Sequence, residues 1–243
     1  LTTGGTIASR PTAEGLAPGL GGAELAHRLY GLAEHYELTV RDVLKLDSSN
    51  IQPEEWRLIA QRVYEAYPHF DGFVIPHGTD TMAYTASVLS YMLLGIPIPV
   101  VLTGAQLPIE HPLSDGPDNL RTAFAMAASG RGGVFLAFDR KIILGCRAVK
   151  THTTNFKAFD SVNYPLVGQV SGAGLTLRES AIPVHGGPCL LRDSLCPEVF
   201  LIKLTPGLNP EIFDVLLRMG YRGIVIEAFG LGGVNVLHKG LRG

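Results

Sequence analysis

The chain has 243 residues, 46% of them hydrophobic and 17% charged, with a formal net charge of −2. That length holds one large domain, or one domain and part of a second, with ordinary globular composition. No cluster of Lys and Arg points to nucleic acid or a membrane surface, and no apolar run approaches the ~20 residues that span a bilayer.

The first feature in chain order is Thr3-Gly4-Gly5-Thr6, directly after Leu1-Thr2. A Gly-rich turn of this kind follows a strand, so the opening residues read as the end of one, and any signal peptide would lie upstream. Residues 9–22 hold four Gly and two Pro and read as a mobile loop. Asp47-Ser48-Ser49-Asn50 then leads into a helix over Pro53 to Tyr67. Its apolar residues Trp56, Ile59, Ala60, Val63, Tyr64 and Tyr67 share one face, with Pro53 in the first turn and Glu54 and Glu55 at the positive end of the dipole.

Short, nearly continuous apolar runs follow at Phe73 to Pro76, Pro99 to Thr103, Val134 to Phe138, Val199 to Leu204 and Gly223 to Ala228. They read as buried strands of a parallel sheet covered on both faces. Helices are expected between them, over Thr81 to Leu94, over Asp118 to Ser129 ahead of Gly130, and from Asn209-Pro210-Glu211 to Gly220. Ser171 to Pro197 reads as an irregular hairpin region plus a linker. The fold class is therefore α/β, an open, mainly parallel sheet with flanking helices, plus the start of a smaller second α/β domain. The expected division is a site-bearing domain over 1–180, a linker over 181–198 and the start of the second domain over 199–243, which looks incomplete. The three cysteines, Cys146, Cys189 and Cys196, are no disulfide framework. Cys189 and Cys196 could pair, but unpaired thiols in a reducing compartment fit better.

Ligands of open α/β sheets bind at the carboxyl ends of strands, and three polar clusters sit at such ends. In Thr3-Gly4-Gly5-Thr6 the glycines allow a close backbone approach and leave Thr6 projecting, a weak nucleophile until a base takes its proton. Alone, this tetrapeptide reads first as a simple turn with a capping threonine. In His77-Gly78-Thr79-Asp80-Thr81 the helix start could hold a carboxylate, Thr79 adds a hydroxyl and Asp80 could pair with an amino group. Helix capping explains one such residue, and four polar groups in five residues exceed what a cap needs. In the third cluster, Arg147 to Thr154, a buried Lys150 would serve as a base or orienting group, whereas a lone Lys reads first as a solvated side chain. Thr103-Gly104-Ala105-Gln106 would leave room for a small ligand. Together the clusters suggest a small zwitterionic substrate: Asp80 for its ammonium, Ser48 and backbone N–H groups for its carboxylate, Thr6 or Thr79 for attack, Lys150 and Asp80 to tune the hydroxyl. No His pair has metal-ligand spacing, so no metal is expected, and there is no Gly-x-Ser-x-Gly elbow.

These residues resemble a known family. Thr3-Gly4-Gly5-Thr6-Ile7-Ala8 looks like one signature of the bacterial-type asparaginases, and His77-Gly78-Thr79-Asp80-Thr81 looks like the other. Thr103 to Pro108, Ser114-Asp115-Gly116, Lys150-Thr151 and Ser161-Val162-Asn163-Tyr164 are similar to further segments, particularly of the cytoplasmic type I branch. The resemblance implies hydrolysis of L-asparagine without a cofactor, in a cytoplasmic homodimer or homotetramer. It implies Thr6 as the attacking residue, Thr79, Asp80 and Lys150 as a second triad, and Ser48 and Ser49 as holders of the α-carboxylate. Gly5, Gly78, Thr79, Asp80 and Ala105 would complete the substrate contacts. Leu16 stands where many relatives carry a loop Tyr. Two further readings stay open: an asparaginase-like component of a tRNA-dependent amidotransferase, or a non-catalytic amino-acid binding module.

Overall fold

The computed structural model describes residues 1–5, 7, 9–12, 15–18, 21, 24, 35–184 and 186–234, and divides into two units, Leu1–Asp193 and Ser194–Gly243. The strands of the first unit are β1 (Thr2–Gly4), β2 (Ser9–Thr12), β3 (Gly15–Pro18), β4 (Asp42–Leu46), β5 (Phe73–Pro76), β6 (Leu93–Leu94) and β7 (Pro99–Thr103). They continue with β8 (Gly133–Phe138), β9 (Lys141–Leu144), β10 (Ala148–Lys150), β11 (Phe159–Ser161), β12 (Gly168–Ser171), β13 (Gly174–Leu177) and β14 (Leu190–Leu191). Among the described residues the helices with defined bounds include α1 (Pro53–Ala66), α2 (Met82–Met92) and α3 (Gly116–Ala127).

The architecture is α/β. Six strands form a sheet in the order β13-β12-β9-β8-β7-β5. It is parallel across β5, β7 and β8 and antiparallel from β8 through β9 and β12 to β13. All five residues of β7 are buried because both faces are covered. Val100 and Leu102 face the cluster built from α1 and α2, and Val101 faces the one built from α3. This is the physical origin of the continuous apolar runs. Each fully buried Leu or Ile of these clusters contributes about 1.5–3 kcal/mol. β1 pairs in parallel with β4, and the Thr3 hydroxyl donates to Pro76 O at 2.9 Å, beside the end of β5.

The helix starts are locally specified. At the head of α1, Gln52 N donates to Glu55 Oε2 at 2.7 Å, with Pro53 in the first turn. Ile59, Ala60, Val63 and Ala66 form the buried face. α2 ends two residues before the sequence reading, because Leu93 and Leu94 pair with Leu191 and Leu190. Part of the segment read as a loop is a ladder, Ser9 to Thr12 opposite Pro18 to Gly15. The second unit contains β15 (Val199–Lys203), α4 (Glu211–Arg218) and β16 (Gly223–Glu227), with β15 and β16 parallel.

One polar chain crosses the core between α1, α2 and β5. Trp56 Nε1 donates to Thr85 Oγ1 at 2.9 Å, the Thr85 hydroxyl meets His77 Nε2 at 2.9 Å, and His77 Nδ1 meets Gly78 O at 2.7 Å. Gly78 O can only accept, so we assign the ring proton to Nδ1, and Nε2 accepts from Thr85. His77 is fully buried, and burial lowers its pKa from 6.5 to about 4 against the smaller opposing effect of its bond to Gly78.

The unfolded chain therefore takes up this proton near pH 6.5, while the folded protein resists it until about pH 4. Stability from this group is complete above the unfolded pKa and declines as pH falls through the window, by about 3 kcal/mol on reaching pH 4. Urea unfolding at pH 7 and at pH 4.5 should show the decline in the native protein and a shallower one in His77→Gln. Equal slopes would show that His77 is not held neutral.

Candidate active site

Three chain turns far apart in sequence meet at the carboxyl ends of β1, β4 and β5. Gly5 follows β1 with φ +85° and donates to Leu46 O at 3.2 Å. A Cβ on Gly5 would fall on the backbone of His77 and Gly78, and a Cβ on Gly78 would fall on the Ser48 side chain. Only glycine permits backbones this close. Ser48 is buried, and its carbonyl accepts from Thr81 Oγ1 at 2.8 Å. Ser49 is exposed, and its N–H and hydroxyl donate to Asp47 Oδ1 at 2.8 and 2.7 Å. Those bonds, the backbone one foremost, hold the Asp47 carboxyl below the usual carboxylate range.

The charged part of the site lies beside Gly78. Lys150 Nζ donates to Thr79 Oγ1 at 2.9 Å and to Asp80 Oδ1 at 2.7 Å. The Lys150 side chain is 17% exposed, the Asp80 side chain 63%, and Thr79 is buried. The ammonium thus sits inside the cluster and the carboxylate at its rim. The apolar run from Ile142 to Cys146 reads in sequence as a strand ahead of Lys150, and β9 ends at Leu144. The chain then makes a 3₁₀ turn over Gly145–Arg147, and Lys150 is the last residue of the short β10, paired with Phe159 of β11. That pairing aims its long side chain at Thr79.

Thr6 lies outside the described residues, and so do the side chains of the β2–β3 ladder, Leu16 among them. Both neighbours of Thr6 are fixed: Gly5 lies against Gly78, and Ile7 is fully buried with Ala105 and Leu120. Ile7 O accepts from Ile109 N at 3.2 Å. Gly5, Ser48, Gly78, Thr79, Asp80 and Lys150 are thus brought together. Ser49 turns its hydroxyl to Asp47, and Ala105 is sealed into the Ile7 cluster.

The structure adds residues without a role in the sequence reading. Asp115, just before α3, accepts from Gln106 N at 3.0 Å, Leu107 N at 3.1 Å and Asn119 Nδ2 at 3.0 Å. Asn119 also donates to Gly104 O at 3.0 Å and accepts from Asp139 N at 2.9 Å. Together they brace the turn after β7. In sequence, Ser114-Asp115-Gly116 stands only as a segment resembling the family, with no role attached.

A cavity of about 690 Å³ opens near the start of β5, lined by residues that include Tyr36, Phe70 and Phe73. It holds neither Thr79, Asp80 nor Lys150. The strand ends, where backbone N–H groups and side-chain hydroxyls converge, are the chemically equipped position. Gly78→Ala tests the close packing there: its methyl overlaps Ser48, so the variant should lose activity and about 1–3 kcal/mol of stability. Unchanged activity and melting temperature would show that the turns are not in contact.

The sequence matches the family model "Asparaginase, N-terminal" over residues 1–183. It is 45% identical over 236 residues to an L-asparaginase of Thermococcus kodakarensis, covering 96% of this chain and 71% of that protein. The solved structure of the thermostable L-asparaginase from Thermococcus kodakarensis matches with a TM-score of 0.88 at 44% identity, over 96% of this chain and 71% of that one. L-asparaginase 1 of Escherichia coli K12 is 35% identical over 95% of this chain and 70% of its own length. A component of the glutamyl-tRNA(Gln) amidotransferase of Methanopyrus kandleri is 36% identical over 97% of this chain but only 56% of its own length. With the family model covering most of the chain and two L-asparaginases matched over more than two thirds of their own lengths, the chain belongs to the asparaginase family.

Proposed function

We propose that the protein hydrolyses the side-chain amide of L-asparagine to L-aspartate and ammonia through a threonine ester. The observation that carries the mechanism is the placement of the Lys150 ammonium between Thr79 Oγ1 and Asp80 Oδ1. The named activity of the relatives supports the substrate.

In this reading Thr6 Oγ attacks the amide carbon. The C–N bond breaks, the nitrogen leaves as ammonia with the hydroxyl proton, and an ester to Thr6 remains. Thr79 then positions a water that attacks the ester carbonyl, releasing aspartate and restoring the Thr6 hydroxyl. Lys150 orients Thr79 by donating to its lone pair. Asp80, already paired on one oxygen and open at the rim, takes the substrate ammonium as a charge-assisted partner. Ser48 and neighbouring backbone N–H groups take the substrate carboxylate in this reading. N–H groups of Thr6 and Thr79 serve the oxyanion, each such donor being worth about 2.7–4 kcal/mol in comparable acyl transfer. No step calls for a metal or cofactor.

We infer further that the protein works in the cytoplasm as a homodimer or homotetramer. The resemblance to the type I branch supports both, and the three unpaired cysteines, Cys146, Cys189 and Cys196, fit the reducing compartment.

Ammonia release from asparagine by the purified protein, with no partner or tRNA added, tests the reading. Thr6→Ala should abolish turnover. Thr79→Ala and Lys150→Met should each lower kcat by about 10²–10⁴-fold. Full activity in both threonine variants would overturn the mechanism. Release that required tRNA and a second protein would favour the amidotransferase reading, and tight aspartate binding without turnover the binding module.

A further inference from the structure

We propose that Gln106 is a positioning residue that locks the loop following Lys150 and sets the direction of the Thr79 hydroxyl. It deepens the proposed function, since it rests on Thr79 assisting hydrolysis of the ester.

The side-chain amide of Gln106 has two N–H donors and one carbonyl acceptor. Nε2 donates to Thr153 O at 3.0 Å and to Asn155 O at 3.0 Å. Both carbonyls belong to the segment that leaves β10 after Lys150. The opposite orientation of the amide would press Oε1 against two carbonyl oxygens, so the loop fixes which end faces the site. Oε1 therefore points at Thr79 Oγ1, 3.5 Å away, at the long limit of a hydrogen bond.

The same geometry orders the Thr79 proton. Lys150 carries donors only, so Thr79 receives the ammonium N–H on a lone pair and must aim its own proton elsewhere. Gln106 Oε1 is the acceptor in that direction. Gln106 is in turn anchored through its backbone: its N–H donates to both Asp115 carboxylate oxygens, at 3.0 and 3.1 Å. A continuous path thus runs from the α3 start through Asp115 and Gln106 to Thr79 on one branch and to the 153–155 loop on the other. Gln106 acts through Thr79 and the loop, so its loss should slow release of the acyl group while leaving substrate binding in place.

The test uses Gln106→Ala and Gln106→Met in the full chain, with Thr79→Ala beside them. Met keeps the volume of Gln without its polar groups and carries the test if the Ala variant does not fold. Expected are a kcat and a KM that both fall by about 10- to 100-fold, because deacylation alone is slowed, with kcat/KM within about twofold of the native protein. Rapid mixing with asparagine should show a burst of ammonia near one equivalent per site before the slow steady rate, because the ester accumulates. Amide hydrogen exchange at residues 152–157 should accelerate. A side chain that merely supports the fold would lower the melting temperature without creating a burst. If Thr79→Ala shows the loss and burst but both Gln106 variants keep native kcat and loop exchange, the positioning role is wrong and the hydrolytic reading stands. If Thr79→Ala is fully active, Thr79 takes no part in ester hydrolysis, and the role of Thr79 on which the positioning role rests fails.

Discussion

The contact between the Gly5 and Gly78 backbones is the constraint on which the site depends. Hydroxyls and N–H groups from turns more than 70 positions apart can share one small ligand only if those turns touch. Any Cβ at either glycine would occupy the space that the other turn or Ser48 now fills. The approach is possible because both turns end parallel strands. β1 pairs with β4, β5 pairs with β7, and the Thr3 hydroxyl ties β1 to Pro76 at the end of β5. The sheet ends thus set the separation, and the glycines let it be short.

Within that frame Lys150 orients more than it stabilises. Its partner Asp80 is largely exposed, and an ion pair in such a setting is worth only about 0–1 kcal/mol. An ammonium has three N–H groups, of which one goes to Thr79 and one to Asp80. The pair therefore fixes two side chains of different function at once, the buried hydroxyl and the rim carboxylate. The direction of the hydroxyl depends on what faces it from the other side, where Gln106 stands.

Much of the fold was legible because its signal is local. β5 and β7 occur at the residues where the apolar runs placed them, and the buried face of α1 follows the spacing of Ile59, Ala60 and Val63. What was not legible depends on pairing between distant segments. Leu93 and Leu94 continue the apolar pattern of α2, yet they leave the helix because Leu190 and Leu191 offer a ladder. Trp56 read as one more apolar position, and its indole N–H is committed to Thr85 in the core. Lys150 is chemically ambiguous in sequence, because nothing local says that β10 will point it at Thr79. Gln106 owes its importance to bonds spanning between 9 and 49 positions of chain, a range that no residue pattern encodes.

The His77 to Thr81 pentapeptide shows why polar residues crowd at that strand end beyond the needs of a helix start. His77 points inward and joins the buried chain through Thr85 to Trp56. Gly78 has no side chain, so Ser48 and Gly5 can press on its backbone. Thr79 turns to Lys150 and Gln106, Asp80 to Lys150 at the rim, and Thr81 reaches back to the Ser48 carbonyl. Five consecutive residues thus face five different environments, and exchanging any two of different type would break contacts on both sides of the turn. Rigidity of the core and placement of the hydroxyl are set by the same short stretch. A change made to tune one is felt by the other, since the carbonyl that His77 holds belongs to the residue just before Thr79.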